Sequence, residues 1–210
     1  MKYTPLYWTG RFLAHQFSHW LLRIKVADAD RVPSEGGVII ASNHISVFDP
    51  PVLGSWIDRP VYFFAKDTLF EIPVLGRIIR RTNAIPVRRG TIDRDALDRA
   101  VEIVRRGDAL VVFPEGTRSK TDQFLNPKAG VGMIAHRAEC PIVPACIQGL
   151  NQIKKSLVFR TRPAIAFGEP FSAEWVKSFP AERESYHEMA RTVMARIGEL
   201  RDRIRDVKAS

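Results

Sequence analysis

Ala109-Leu110-Val111-Val112-Phe113-Pro114-Glu115-Gly116-Thr117-Arg118-Ser119 is the stretch whose reading decides the fold. Its first five residues are apolar without interruption, the signature of a short strand covered on both faces. Pro114 and Gly116 then stop the strand, so Glu115 to Ser119 forms a polar loop at the strand's carboxyl end. Upstream, Asp93 to Arg106 alternates charge with Leu97, Val101 and Val104, which predicts an amphipathic helix closed near Gly107. Downstream, a helix near Gly132 to Glu139 precedes a strand over Pro141 to Ile147, with a weaker strand over Arg162 to Phe167. Helix, strand and polar loop in succession describe one layer-forming unit.

The same unit recurs towards the N-terminus. After the turn-like Pro33-Ser34-Glu35-Gly36-Gly37, Val38-Ile39-Ile40-Ala41 is a short buried strand. Ser42 to Asp49 follows as a loop, and Asp49-Pro50-Pro51 predicts a helix start with Asp49 as N-cap and Pro50 in the first turn. Val61 to Ala65 and Asn83 to Val87 are further strands, with a helix around Gly76 from Phe70 to Arg80 between them. Glu182 to Val207 is a long C-terminal helix. Its seam of Tyr186, Met189, Val193, Ile197, Leu200, Ile204 and Val207 is for core packing or a dimer contact. Strands alternating with helices, without a repeat or a linker, predict a single α/β domain.

Residues 5 to 25 predict one helix of a different character. Arg11, His15, His19 and Arg23 recur every four residues as a basic stripe, and Leu13, Phe17, Trp20, Leu21 and Ile24 line the opposite face. Trp8 and Phe12 fall near the stripe. The aromatics either pack on the parent domain or sit at a bilayer interface; aromatics left among cations favour the interface. The expected organisation is therefore a membrane-associating amphipathic segment, 1–27, ahead of the main domain, 28–210.

With 210 residues, 45% hydrophobic and 26% charged, the chain has the composition of a folded globular protein. A net charge of +9 favours anionic partners: phosphorylated substrates, acidic lipid headgroups or nucleic acid. Cys140 and Cys146 fit no metal or disulfide pattern and read as core residues of a reduced compartment. No apolar run approaches the ~18–20 residues that span a bilayer. The basic stripe interrupts any secretory signal, so the expected location is cytoplasmic, with peripheral membrane contact.

Two loops at strand ends carry reactive groups, where open α/β sheets place their sites. In Asn43-His44-Ile45-Ser46-Val47-Phe48-Asp49, the carboxylate can fold back to take one imidazole N–H. That bond fixes the tautomer and leaves the other nitrogen as a proton acceptor. In the Glu115–Ser119 loop, Arg118 offers a planar fork for phosphate and Gly116 allows close backbone approach. Glu115 could orient Arg118 or accept a substrate hydroxyl. Arg88, Arg89 and Lys66 add cations at other strand ends, where convergence would make a phosphate clamp.

Taken in order, Asn43-His44-x4-Asp49, Ile85-Pro86-Val87-Arg88-Arg89, Phe113-Pro114-Glu115-Gly116-Thr117-Arg118-Ser119 and Ile142-Val143-Pro144-Ala145 resemble the four blocks of the glycerolipid acyltransferases. Lys128 with Gly130 fits the Lys-x-Gly step between the last two, although Asn126-Pro127 lacks the usual aromatic before the lysine. The chain is similar to the 1-acylglycerol-3-phosphate acyltransferase type. That resemblance implies a central mixed, largely parallel sheet flanked by helices. It implies direct transfer from acyl-CoA or acyl carrier protein to the sn-2 hydroxyl of lysophosphatidic acid, at the cytoplasmic face of an anionic membrane, without cofactor or metal. His44 would be the base, oriented by Asp49. Lys66, Arg88, Arg89, Glu115, Gly116, Thr117 and Arg118 would bind substrate, with Arg88 and Arg89 alternatives for the phosphate because relatives often carry an acid at the former.

Other chemistries lack their residues. No Gly-x-Ser-x-Gly elbow supports a serine hydrolase, and Ser42 and Ser46 read as loop hydrogen-bonders. Gly130-Val131-Gly132-Met133-Ile134-Ala135 resembles a dinucleotide fingerprint but follows Asn-Pro-Lys instead of a strand. The +9 charge is spread over helices and strand ends without a nucleic-acid signature, so no nucleic-acid partner is expected. Relatives acting on another acceptor, such as a lysophospholipid, glycerol 3-phosphate or a glycoconjugate, remain the nearest alternative.

Overall fold

Two runs of continuous apolar sequence become the centre of one sheet, because a strand with helices on both faces has no side for polar residues. The computed structural model describes residues 4–88, 90, 92–121, 123–158 and 160–209, with backbone alone for 206–209. In chain order it contains α1 (Pro5–Gln16), β1 (Lys25–Ala27), β2 (Val38–Ser42), α2 (Asp49–Ser55), β3 (Val61–Lys66), α3 (Pro73–Arg80) and β4 (Ala84–Val87). There follow α4 (Arg94–Arg105), β5 (Ala109–Val112), α5 (Gly130–Ala138), β6 (Ile142–Gln148), α6 (Ile153–Leu157), β7 (Ala164–Phe167), α7 (Ala173–Lys177) and α8 (Arg183–Ala209).

The seven strands form a single sheet in the order β1-β7-β6-β2-β5-β3-β4. Every pair is parallel except β6 with β7, so the sheet is mixed and largely parallel, as the resemblance implies. Alternate residues of each strand feed opposite cores. Ile39, Ala41, Leu110 and Ile142 pack under α4, α5 and α8. Val38, Ile40, Val111 and Val143 pack beneath α2 and the N-terminal segment. Truncating a fully buried Ile40 or Leu110 to alanine would cost ~2–5 kcal/mol.

The C-terminal helix resolves its two readings in favour of the core. Met189, Val193, Ile197 and Leu200 are buried against α5 and the sheet, while the side chain of Val207 lies outside the described residues. α4 begins as its sequence dictates, with the Asp93 carboxylate accepting the Ala96 N–H at 3.2 Å. α2 does not. Asp49 is the first helical residue, and its carboxylate turns back to the preceding loop instead of capping the helix.

The N-terminal segment departs furthest from expectation. Helix α1 passes into a π-helical turn, Phe17–Leu21, and ends there; Arg23 takes a left-handed φ of 53°. Lys25, expected to be the last helical residue, instead begins the strand Lys25–Ala27, which pairs with β7 at the sheet's edge. The docked face is also inverted. Arg11 donates to the Ile57 carbonyl at 2.6 Å, His15 lies against Trp56, and Ser18 accepts the Trp56 indole N–H at 2.9 Å. Leu13, Trp20 and Leu21, assigned to the docking face, are 60%, 69% and 52% exposed. α1 packs on the C-terminal end of α2, where the backbone carbonyls lack helical partners: Arg11 supplies a donor to one of them, and the His15 ring covers Trp56. Of the expected apolar face, Ile24 is buried and Phe17 half-buried.

Candidate active site

A parallel sheet delivers the carboxyl ends of its strands to one edge. The loops after β2 and β5, adjacent in the sheet, therefore meet there. Four hydrogen bonds hold the backbone of the first loop. Asn43 donates to the Ile147 carbonyl at 2.9 Å and accepts the Ile147 N–H at 2.8 Å, clasping β6 as a backbone mimic. The His44 N–H donates to Glu115 Oε1 at 2.9 Å, and the His44 carbonyl accepts the Ser119 N–H at 2.8 Å. His44 is thus pinned on both sides of its own peptide unit.

Its ring is fixed as firmly. His44 Nδ1 lies 2.8 Å from Asp49 Oδ2, and Phe113 stacks on the imidazole with centroids 4.1 Å apart. The same Oδ2 accepts the N–H groups of Ile45 and Ser46, each at 2.7 Å. Asp49 is 0% exposed, so these three donors compensate a fully buried carboxylate. An acceptor-only partner makes Nδ1 the protonated nitrogen and leaves Nε2 its lone pair. The imidazole–carboxylate bond expected from the five-residue spacing is present.

Glu115 occupies a different place from the one its charge suggested. It is 1% exposed, and Oε2 accepts the Leu125 N–H at 2.8 Å while Oε1 holds His44. Neither Arg118 nor open solvent faces it. Burial pushes its carboxyl above the usual carboxylate range, and the N–H groups of Leu125 and His44 only partly offset this.

The cations spread along the site edge. Thr117 and Arg118 are exposed beside the His44 loop. Lys66, also exposed, ends β3, and Arg88 follows β4, three strands from His44's β2 and so ~14 Å away at ~4.8 Å per strand. The Arg88 guanidinium turns to Asp93, 3.4 Å away, although its side chain is 66% exposed. That pairing and the Arg88 backbone N–H hold the Asp93 carboxyl below its ordinary range, the backbone bond contributing most. Arg89 lies outside the described residues. Gly116 takes a left-handed φ of 68°, which would strain any side chain, and the end of the Lys128 side chain passes 3.1 Å from where a Cβ would stand. Lys128 therefore lies across the loop at Gly116, anchored by its N–H to the Pro114 carbonyl at 2.9 Å. The Lys-x-Gly step was its only signal in the sequence. Asn43 and Phe113, which position His44, gave none beyond their place in the blocks.

The two cysteines are buried, and burial pushes the Cys140 thiol up to about 12, which leaves it inert as a nucleophile. No helix among the described residues is long and apolar enough to cross a membrane.

The chain is 28% identical over 182 residues to the 1-acyl-sn-glycerol-3-phosphate acyltransferase of Bacillus subtilis, covering 86% of this chain and 89% of that one. It is 28% identical over 151 residues to the enzyme of the same name from Borreliella burgdorferi, covering 70% and 60%. The crystal structure of the 1-acyl-sn-glycerophosphate acyltransferase of Thermotoga maritima superposes with a TM-score of 0.69 at 24% identity, over 92% of this chain and 78% of the other, which establishes the shared fold. The acyltransferase family model matches residues 23–148, spanning both loops, the sheet centre and the strand that Asn43 clasps: this chain belongs to the acyltransferase family.

Proposed function

We propose that the protein transfers a fatty acyl group from acyl-CoA or acyl carrier protein to the sn-2 hydroxyl of 1-acylglycerol 3-phosphate, giving phosphatidic acid. The observation that carries the reading is the buried His44–Asp49 pair, 2.8 Å apart, at the edge where Arg118 and Lys128 are exposed. His44 Nε2 takes the hydroxyl proton as the oxygen attacks the thioester carbon. The new imidazolium is stabilised by Asp49. Collapse of the tetrahedral adduct breaks the C–S bond, and the proton passes from His44 to the departing thiolate. General-base assistance of this kind contributes ~10²–10⁴-fold. Arg118 and Lys128 are nearest to hold the acceptor phosphate, with Lys66, Arg88 and Arg89 further along the edge. Thr117 and Gly116 shape the loop between them. Glu115 positions His44.

The acceptor is a lipid, so the enzyme works at an anionic membrane surface on the cytoplasmic face. Phe12, Leu13, Trp20 and Leu21, all more than half exposed, form the contact. The test is a radiolabelled acyl-thioester assay against a panel of lysolipids and glycerol 3-phosphate, with product identification. Phosphatidic acid is the expected product, and His44→Ala removes it while the fold persists. Near-normal turnover by that variant refutes the assignment of the base; acylation of glycerol 3-phosphate alone refutes the acceptor.

A further inference from the structure

Large exposed apolar residues are unevenly distributed. Among the described residues α4, α5 and α8 carry none, whereas α1, the Val47–Phe48 loop and the stretch from Leu69 to Ile78 carry most of them. The last group is the odd one, because it belongs to a helix that barely packs on its own protein. In α3, only Gly76 is buried, pressed so close to Phe70 that a Cβ would fall 2.3 Å from its carbonyl oxygen. Ile72, Val74, Leu75 and Ile78 are 46%, 70%, 38% and 42% exposed. An eight-residue helix is marginal without a surface against its apolar face. Among the described residues that face is left exposed.

The residue order says what kind of surface it is. At ~100° per residue, Val74, Ile78 and Leu75 share one arc, with Arg81 at its edge beside Val74 and Arg77 and Arg80 beyond it. An apolar arc flanked by arginines suits the boundary between acyl chains and anionic headgroups. Arg80 is partly committed, donating to the Phe70 carbonyl at 2.9 Å; Arg77 and Arg81 are exposed. Position agrees with composition. The helix follows β3, whose carboxyl end lies on the site edge, and its far end is joined to the start of α1 by Thr4 Oγ1 donating to the Arg81 carbonyl at 2.7 Å. At the other end of α1, Phe17 meets Phe48 of the His44 loop with centroids 6.3 Å apart. Helices α1 and α3 thus both extend from the mouth of the site and meet away from it.

We propose that α3 is a second membrane-insertion element, which with α1 seats the mouth of the site on an anionic bilayer at two separate points. The proposal rests on the membrane-surface reading above and deepens it, by naming an element that neither family blocks nor sequence pattern singled out. One helix alone leaves the protein free to roll about its axis; a second contact removes that freedom and fixes the height of His44 above the headgroups.

The test uses the full chain and sedimentation with vesicles of phosphatidylglycerol and phosphatidylethanolamine. V74S/L75S/I78S should weaken partitioning ~10-fold or more. R77Q/R81Q should lose ~5-fold per arginine on those vesicles and little on pure phosphatidylcholine. Both variants alter exposed residues, so melting temperatures near that of the parent confirm the fold. A second measurement is independent of affinity: Val74→Cys carrying an environment-sensitive nitrobenzoxadiazole label should shift to the blue when vesicles are added. The buried Cys140 and Cys146 leave position 74 as the labelled site. Equal partitioning of parent and serine variant, or an unshifted label, overturns the proposal. So does a parent dimer that the serine variant converts to monomers with vesicle binding intact, because a second copy would then cover α3. None of these readings requires turnover, so failure of the acyl-transfer assay is separately recognisable.

Discussion

Asp49→Asn isolates the charge of the site from its geometry. In the parent, all three donors converge on Oδ2, and among the described residues Oδ1 has no partner although it is buried. An asparagine can place its single oxygen where Oδ2 stands and keep every one of those bonds. Its amide nitrogen then occupies the Oδ1 position and finds no acceptor. One unsatisfied buried atom replaces another, so the loss comes from three N–H groups exchanging a charged acceptor for a neutral one, ~1–3 kcal/mol, lowering Tm by ~2–12 °C for a domain of this size. Catalysis suffers more. As His44 gains a proton it faces a carboxylate 2.8 Å away, an attraction of ~6 kcal/mol at an effective dielectric of ~20. The amide retains part of this as a dipole, so the barrier rises by ~3–6 kcal/mol and kcat falls ~10²- to 10⁴-fold. Because the residues that hold substrate are untouched, KM for acceptor stays within about threefold of the parent. The measurements are initial-rate kinetics with saturating thioester and a thermal melt of the same preparation. A variant that melts a few degrees early yet retains kcat within about threefold of the parent refutes the counter-ion role of Asp49.

Three further outcomes follow from the same geometry. Burial raises the Glu115 carboxyl, so its contribution to stability is complete below the unfolded pKa of ~4.3 and is lost as pH rises through its folded value. Glu115→Gln, uncharged throughout, should therefore gain in Tm relative to the parent as pH increases across that window, and parallel melting curves would contradict it. Arg118→Ala and Lys128→Met should each raise the KM of acceptor ~10- to 150-fold while that of the thioester changes little, reflecting a lost charged hydrogen bond of ~1.5–3 kcal/mol; equal rises for both substrates count against a phosphate grip. Replacing Phe12, Leu13, Trp20 and Leu21 by serine should weaken vesicle association while leaving Tm unchanged, since these side chains are more than half exposed; a fall in Tm would show that they pack on the protein.

What was legible in the sequence was whatever the chain encodes locally. The continuous runs Val38–Ala41 and Ala109–Val112 could only be covered strands, and Asp93 had to begin a helix. His44 and Asp49 could be paired because five residues separate them, close enough for a loop to fold back. Glu115 could not be read in this way. Its partners are backbone N–H groups, which every residue but proline owns, and one lies 71 positions away. A side-chain carboxylate in a loop beside an arginine invites an ion pair, and nothing local says that burial will direct it to peptide groups instead. The N-terminal helix shows the same limit. Arg11 and His15 were placed on one side of it, but that this side docks depends on the C-terminal end of α2, where Arg11 meets the Ile57 carbonyl. An amphipathic pattern specifies that a helix has two sides and leaves open which medium each will meet.

The site divides along the same line between bonds that must be exact in position and charges that need not be. His44 is held by β6 through Asn43, by the β5 loop through Glu115 and Ser119, by α2 through Asp49 and by the ring of Phe113. Proton transfer demands this, because a hydrogen bond fails within about 1 Å of displacement and such an error can cost ~10²-fold in rate. Attraction between a guanidinium and a phosphate falls only as the inverse of distance, so Arg118 can serve from an exposed position. The cations can therefore stand on surface loops and adapt to headgroups at different heights, while the base is bolted to the sheet. On the proposed function, the base would depend on the fold for its position, and the cations would depend on the membrane contact to bring the acceptor within their reach.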